Sequence, residues 1–238
     1  MTVDDVFNLL AHARDARGIS HWERLGERTG GLQSFGIGLT RLRKFAKQIG
    51  RDRELAKALW RTELYDAKVI ALLIDDPKQI TREEAEQQVG ELHGGMLAHV
   101  FASCDATLAK TPFVIELAEK WVYSEDAIRR DCGYGLMYEV SKFTGKKAPS
   151  EAFFIKHIEH ISATIDGELE NVRLAMAFPL MGIGKRNAAL NKAALRVARA
   201  VGPIEFFSAS GNCEPFDVVK HLTAKRLQAK LNASSGKA

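Results

Sequence analysis

Apolar residues recur every three or four positions along most of the chain, in blocks separated by short polar turns. The stretch 111–143 shows this pattern most clearly, with Phe113 and Trp121 on one face of its first block. Such spacing is typical of an amphipathic α-helix. Thr111 is the predicted N-cap, and Pro112 takes the first helical position, where its missing N–H costs nothing. The apolar stripe of a second, antiparallel helix consists of Ile128, Cys132, Leu136, Val140 and Phe143.

The same periodicity predicts helices along the rest of the chain. Their ranges are 2–15, 19–28, 40–49, 52–61, 64–76, 81–92, 96–110, 151–162, 166–182, 187–201 and 215–231. Pro179 lies inside one of these helices, so we expect a kink or an early end there. No segment has the strict alternation that predicts a β-strand.

These helices form pairs, and neither member of a pair can bury its apolar face alone. The pairs must therefore stack on one another, as in an α-solenoid. A repeat of about 35–45 residues is typical of HEAT-like proteins. We predict an all-α fold, an α-α superhelix of HEAT-like repeats, as a single domain over residues 1–231. A disordered tail is expected at residues 232–238.

Composition and cysteine usage narrow the class of protein. Apolar residues make up 46% of the chain, enough for a substantial core. The N-terminal stretch MTVDDVFNLLAHARD is acidic and amphipathic and predicts neither a signal peptide nor a membrane anchor, so we expect a cytoplasmic protein. Cys104, Cys132 and Cys213 are odd in number and lack metal-ligand spacing, which favours reduced, mostly buried thiols. We expect no metal and no cofactor.

The net charge of +4 is distributed unevenly. Residues 39–63 contain eight Lys and Arg against three Asp and Glu, and residues 183–231 contain nine against three. Between them, residues 64–182 contain twelve against nineteen. Two basic flanks on one solenoid are typical of a surface for a polyanion, most often nucleic acid. The alternative is that each cluster is an ordinary solvated helix face.

The predicted helix 40–49 has three cations in its first turn, Arg41, Arg43 and Lys44. Cations at this end oppose the helix dipole, each by about 0.3–1 kcal/mol. Unpaired N–H groups next to several cations form a favourable anion site, and phosphate is the expected anion. Alternatively, these long side chains extend into solvent.

Several stretches resemble one family in order and spacing. They are FGIGLTRLRKFAK (35–47), LWRTELYDAKVIALLID (59–75), TPFVIELAEKWVYSED (111–126), GYGLMYE (133–139) and GIGKRNAALNKAAL (182–195). The chain resembles the DNA alkylation repair proteins of the AlkD-like type. The resemblance implies a C-shaped HEAT-like solenoid that holds double-stranded DNA on its concave face. In active members of the family, that face excises positively charged N-alkylated purines.

The resemblance also implies where a catalytic site would lie. Active members share an aromatic-Asp-x-x-Asp segment just before the helix that precedes the TPF stretch. Here that region reads LHGGMLAH over residues 92–99, without tryptophan or aspartate. The nearest carboxylates are Glu91 and Asp105. The residues around the family site would be His93, Met96, His99, Arg130 and Phe178, although a second register replaces Arg130 by Asp131.

A missing carboxylate matters for the chemistry of base excision. A cationic alkylpurine is already a good leaving group, so the enzyme's main contribution is a fixed negative charge beside the developing oxocarbenium ion. A neutral imidazole from His99 does not replace that charge. We interpret His93 and His99 as structural, and the tryptophans Trp22, Trp60 and Trp121 as core residues.

Three hypotheses remain open. The chain is a DNA-binding relative with weak or altered glycosylase activity, a non-catalytic binder of damaged or branched DNA, or a HEAT-type protein–protein scaffold. The scaffold is favoured if the acidic middle of the chain lines the concave face. The predicted DNA-binding residues are Arg41, Arg43, Lys44, Lys47, Arg130, Lys146, Lys147, Lys185 and Arg186.

Overall fold

A computed structural model describes residues 1–103, 105–207 and 213–235 of the chain. These described residues are 68% helical, in fourteen α-helices with short 3-10 turns between some of them. The described residues form no β-strand, only two isolated bridges, Gln33 with Leu64 and Ile204 with Phe216. The predicted all-α fold is confirmed.

The described residues divide into two compact units, residues 1–114 and residues 115–207 with 213–235. Unit 1 contains α1 (Val3–His12), α2 (Ala16–Glu23), α3 (Leu39–Ile49), α4 (Arg53–Trp60), α5 (Tyr65–Ile74), α6 (Arg82–Val89) and α7 (Leu97–Ala102). Unit 2 contains α8 (Val114–Val122), α9 (Ala127–Ser141), α10 (Glu151–Thr164), α11 (Glu170–Gly184), α12 (Ala188–Val201), α13 (Val218–Leu222) and α14 (Lys225–Ser235). The boundary between the units falls after Val114, the first residue of α8. The single domain over residues 1–231 stays a prediction.

The helix α5 is the centre of unit 1. It packs against α3, α4 and α7, and every residue from Asp66 to Ile74 is buried. Two charged residues of α5 are buried, Lys68 and Asp66, and Asp66 is the more deeply buried. Its carboxylate accepts hydrogen bonds from the Ser34 hydroxyl at 2.9 Å and from the N–H groups of Phe35 at 2.8 Å and Ile37 at 3.1 Å. Desolvation raises the pKa of Asp66, and these hydrogen bonds oppose that effect. Asp66 thereby fixes the loop that leads into α3.

In unit 2, α9 and α11 approach each other closely, and glycines allow it. A Cβ atom on Gly182 would lie 2.1 Å from Ser141 Oγ, across the α9–α11 contact. A Cβ atom on Gly133 would lie 2.6 Å from the backbone nitrogen of Val122 at the end of α8. The stretches GYGLMYE and GIGKRN therefore have a packing explanation, because only glycine fits at these approaches.

The start of α8 differs from the prediction. The Thr111 hydroxyl donates to the Leu108 carbonyl at 2.9 Å, and α8 begins only at Val114. The prediction that Thr111 caps this helix is therefore wrong. The hydrogen bond to the preceding turn competes with capping, as is common for threonine.

The predicted helix 96–110 is also shorter than expected. The helix α7 ends at Ala102, and only a 3-10 turn, Leu108–Lys110, follows it. Asp105 lies between them with a φ of 71°, in the left-handed region. A right-handed helix does not continue through such a residue. Cys104 lies outside the described residues; Cys132 is buried and Cys213 exposed.

Two predictions about the C-terminal half are corrected as well. The helix does not end early at Pro179, since α11 continues through it to Gly184, and close packing offsets the one backbone hydrogen bond that proline removes. The single basic helix predicted over residues 215–231 is two helices, which are interrupted around Thr223. The second, α14, extends to Ser235 and so includes the first four residues of the predicted disordered tail. The remaining tail, 236–238, lies outside the described residues, as do residues 208–212 of the predicted irregular segment.

Within the described part of the chain, no helix has both the length and the apolarity that a membrane span requires.

Candidate nucleic-acid interface

The first turn of α3 is a cationic helix N-terminus without a side-chain cap. Gly38 is its N-cap and supplies no side-chain hydrogen bond, and the turn contains no acidic residue. By contrast, α1, α2, α4 and α6 each have a Thr or Asp N-cap that accepts an N–H bond. Uncapped N–H groups at the positive end of the dipole favour a bound anion.

Three of the cations on α3, Arg41, Lys44 and Lys47, are exposed, and Arg43 is half-buried. Arg41 Nη1 donates to the Ala13 carbonyl at a long 3.3 Å. Arg43 Nε lies 3.5 Å from Asp105 Oδ2, but these side chains are 38% and 76% exposed, so this pair contributes little to stability. Lys44 and Lys47 are exposed and have no hydrogen bond or ion pair with the described residues. The α3 surface, defined by Arg41, Arg43, Lys44 and Lys47, is therefore a solvent-facing cationic patch.

A second group of cations lies in unit 2, where α9 and α11 end. Desolvation lowers the pKa of Lys185, and the nearby Lys142 lowers it further. Lys142 Nζ contacts Glu139 Oε1 at 2.7 Å and lies 4.0 Å from the ring centroid of Tyr138. Lys146 and Lys147 lie on an exposed 3-10 turn and have no hydrogen bond or ion pair with the described residues. We call Lys142, Lys146, Lys147 and Lys185 the unit 2 lysines.

Arg130 is held by an internal ion pair. Its Nε and Nη2 donate to the two carboxylate oxygens of Glu168 at 2.7 and 2.8 Å. Its Nη1 donates to the carbonyls of Ser124 and Glu125. Glu168 raises the pKa of Arg130 through these hydrogen bonds. A phosphate contact from Arg130 requires this pair to open. Asp131, the alternative in the second register, accepts from Asn171 Nδ2 at 3.0 Å.

The guanidinium group of Arg186 also has hydrogen-bond partners within the chain. Its Nη1 donates to the carbonyls of Ser141 and Phe143, at the C-terminal end of α9. Its guanidinium lies 4.4 Å from the ring centroid of Phe154, and desolvation lowers its pKa. Arg186 therefore binds the carbonyl groups at the C-terminal end of α9, whereas its neighbour Lys185 remains exposed.

Phe178, the predicted site aromatic, belongs to a cluster of half-exposed rings. Its ring centroid lies 5.9 Å from Tyr138 and 5.1 Å from Phe216, and Phe216 lies 5.3 Å from His221. The bridge between Ile204 and Phe216, with hydrogen bonds of 3.0 and 2.8 Å, holds Phe216 in place. Lys142 lies over Tyr138, so the aromatic cluster adjoins the unit 2 lysines through this residue. Helical periodicity does not predict Tyr138, Phe216 or His221 as site residues, because no helical period brings them together.

The segment 92–99, where the sequence resemblance places an aromatic-Asp motif, is shaped by packing. A Cβ atom on Gly94 would lie 1.8 Å from the Thr29 carbonyl oxygen, and one on Gly95 would lie 2.8 Å from the Trp22 ring. Met96 is 57% exposed, and His93 is exposed beside it. His99 lies on α7, with its Nδ1 3.5 Å from Ser103 Oγ. These positions hold two turn glycines, a methionine and two imidazoles, and no carboxylate.

The two nearest carboxylates are engaged with other side chains. Glu91 accepts hydrogen bonds from Trp60 Nε1 at 2.6 Å and from Gln87 Nε2 at 2.9 Å. Asp105 contacts Arg43, as described above. Both carboxylates therefore have a structural partner.

Two of the three tryptophans are in the core as predicted, since Trp121 is 0% and Trp60 is 9% exposed. Trp22 is only half-buried, so its assignment to the core is corrected. Its Nε1 donates to the Leu32 carbonyl at 3.1 Å, and its ring lies 4.5 Å from Tyr65. Gly95 packs against this pair of rings, which leaves a partly exposed aromatic surface beside the segment 92–99.

A cavity of about 280 Å³ lies in unit 1, lined by residues of α4, α6 and α7. Its charged groups bind one another: Arg53 contacts Asp75 at 3.1 Å and Glu84 at 2.6 Å. No group of three or more His, Cys, Asp or Glu in the described ranges is arranged to hold a metal ion.

The stacked helix pairs are those of a HEAT-like repeat protein. The family model described as DNA alkylation repair enzyme matches residues 8–203, so the chain belongs to this family.

Among solved structures, the chain is similar to one described as "a new family of proteins related to the HEAT-like repeat DNA glycosylases with affinity for branched DNA structures". The two are 22% identical, with a TM-score of 0.79, and the similarity covers 97% of this chain and 96% of the other. This likeness shows the fold. No curated protein matches the chain.

Proposed function

We propose that this chain binds the sugar–phosphate backbone of DNA through the α3 surface and the unit 2 lysines. The observation that carries the proposal is the uncapped N-terminus of α3 beside exposed cations, of which Lys44 and Lys47 have no ion pair with the described residues. A helix start without a capping side chain or an acid retains N–H donors for phosphate. Phosphate contacts of this kind give affinity without reading sequence.

The aromatic cluster of unit 2 supports a preference for one kind of DNA. Exposed ring faces stack on bases only where those bases are unpaired, as at a branch or a lesion. Lysines beside the rings contact the backbone on either side. The similar solved structure belongs to proteins with affinity for branched DNA, which agrees with this preference. We therefore propose branched or damaged double-stranded DNA as the partner.

We also propose that rapid excision of alkylpurines is not the function of this chain. The segment 92–99 has no aspartate to stabilise an oxocarbenium ion, and Glu91 accepts hydrogen bonds from Trp60 and Gln87. Losing such a group costs about 10²–10³ in rate. Arg130 and Arg186 then serve the fold rather than the DNA, because their donors are used internally.

The experiment compares two triple variants of the α3 surface. In the neutral variant Arg41→Gln, Arg43→Gln, Lys44→Gln, we expect duplex affinity to fall at least tenfold at about 100 mM salt, equally for all sequences, because three phosphate contacts are lost. The matched variant Arg41→Lys, Arg43→Lys, Lys44→Arg keeps the charge and should retain most of the affinity. If the neutral variant binds as tightly as the wild type, α3 is not a phosphate site.

A further inference from the structure

The cavity of unit 1 is a slot between α4 and the segment 84–91, which contains most of α6. Side-chain contacts join its two sides at two points. Arg53 donates to both carboxylate oxygens of Glu84 at 2.6 Å, and Trp60 Nε1 donates to Glu91 Oε2 at 2.6 Å. Arg53 and Trp60 are seven residues apart on α4, so the two contacts lie about 10 Å apart along this helix. They fix the spacing of the two sides, and the slot is therefore preformed.

Small side chains leave the space at the inner end of the slot. Ala56, Ala71 and Ala106 line it and are at most 3% exposed. Leu72 and Phe101, which are also buried, complete an apolar inner wall. A buried apolar wall behind a polar mouth is typical of a small-molecule site, and the volume of about 280 Å³ lies near the lower end of the range for such sites. The slot therefore has room for one small organic molecule with an apolar body.

The charges that line the slot balance. They are three cations, Arg53, Lys57 and Arg61, and three acids, Asp75, Glu84 and Glu91. A lining without net charge produces no field that selects an anion or a cation. The matching ligand is therefore uncharged overall.

The polar group that remains available inside the slot is an amide. Glu84 and Glu91 each accept hydrogen bonds on both carboxylate oxygens, so an ammonium group would have to share them. Gln87 donates to Glu91, whereas the side chain of its neighbour Gln88 has no hydrogen bond with the described residues. Gln88 is half-buried and lines the slot. A primary amide offers a donor and an acceptor side by side.

We infer that this slot binds a nucleobase or nucleoside, with the base against the apolar inner wall and its edge bonded to the amide of Gln88. A nucleobase is flat and uncharged, and adenine presents the adjacent donor and acceptor, N6 and N7, that a glutamine amide pairs with. This binding is additional to the proposed contacts with the DNA backbone and does not depend on them. The base can be free or can belong to an unpaired nucleotide of DNA, and the test separates these two sources.

The test measures adenosine binding by calorimetry in the wild type, in Gln88→Leu and in the matched control Gln48→Leu. Gln48 is exposed on α3, and its side chain has no hydrogen bond with the described residues. We expect Gln88→Leu to bind adenosine at least about tenfold more weakly, because a bidentate pair is lost, and the control to bind as the wild type does. Absence of wild-type binding up to about 10 mM adenosine would overturn the inference, and so would equal affinities of wild type and Gln88→Leu.

A second variant and two further probes test the shape and charge of the slot. Ala56→Leu fills the inner end and should abolish adenosine binding, and thermal melting of each variant checks that it is folded. Indole, which is flat but has no ring acceptor, should bind at least about tenfold more weakly than adenosine. Indole binding as tight as adenosine binding would contradict recognition by Gln88. Adenosine monophosphate binding more than about tenfold tighter would mean an anion site instead.

A duplex with one unpaired adenine identifies the source of the base. Displacement of adenosine by this duplex, but not by a fully paired one, assigns the slot to a base of DNA, whereas adenosine binding without displacement assigns it to a free base or nucleoside. Failure of the proposed function looks different, because loss of salt-dependent DNA binding leaves adenosine binding unchanged.

Discussion

At the scale of single residues, some buried positions hold polar side chains that apolar periodicity does not predict. Asp66 interrupts an apolar helix because three donors of the loop 34–37 need an acceptor. His157 on α10 is the opposite case. It is fully buried, and neither ring nitrogen has a hydrogen-bond partner among the described residues. Nε2 lies 3.7 Å from Glu119 Oε1, and Lys156 and His160 lie nearby.

The environment of His157 predicts acid sensitivity. Desolvation lowers its pKa to about 4, against 6.5 for an unperturbed histidine. Between pH 4 and pH 6.5 the unfolded chain binds this proton more readily than the folded chain does. The contribution of His157 to stability is therefore fully present above pH 6.5 and is lost as the pH falls toward 4. From pH 7.5 to pH 5 this loss is about 2 kcal/mol. We expect the variant His157→Phe to lose about 2 kcal/mol less than the wild type over this range in urea denaturation.

If His157→Phe and the wild type lose stability in parallel on acidification, His157 is not held neutral by burial.

At the scale of helices, close approaches through glycine set the packing of unit 2. Gly133 faces the backbone at the end of α8, so an added methyl group cannot be accommodated by a side-chain movement. We expect Gly133→Ala to destabilise the chain by about 1–3 kcal/mol. The matched change Gly167→Ala has nothing within 4 Å of the new Cβ and should be neutral or slightly stabilising. Thermal melting of both variants tests this packing, and equal melting temperatures would contradict it.

Helix periodicity was sufficient to locate most helices, because each has one buried stripe. It was insufficient where a local contact decides the outcome. The sequence context of Thr111 fits a cap, yet its hydroxyl bonds to the preceding turn. Pro179 predicts an early end of α11, but the helix continues through a region where most of its residues are buried. Neither outcome follows from local propensity, since both depend on packing that the sequence does not display.

The site was predictable only in part, for a related reason. Arg41, Arg43 and Lys44 lie in one turn of α3, so their clustering is visible in the sequence, and the structure leaves Arg41 and Lys44 exposed and Arg43 half-buried. Arg130 and Arg186 are indistinguishable from them in sequence, but internal acceptors occupy their donors. Phe216 joins Phe178 and Tyr138 only through an irregular segment. Contacts between distant segments are what sequence reasoning missed.

At the scale of the whole molecule, the proposal separates DNA binding from base excision. We expect release of 7-methylguanine or 3-methyladenine from methylated duplex to be at most slightly faster than the spontaneous rate, because the segment 92–99 lacks the carboxylate. The assay counts released base by chromatography under single-turnover conditions. Excision many orders of magnitude above the spontaneous rate would mean that another carboxylate, such as Glu91, performs the catalytic role.

The central claim is that this chain binds the phosphate backbone of DNA, and the salt dependence of binding tests it most directly. Wild-type affinity for duplex DNA is measured by fluorescence anisotropy between about 50 and 200 mM salt. With about six phosphate contacts from the α3 surface and the unit 2 lysines, we predict a loss of roughly a thousandfold over this range. An affinity that stays constant across the range would contradict the account.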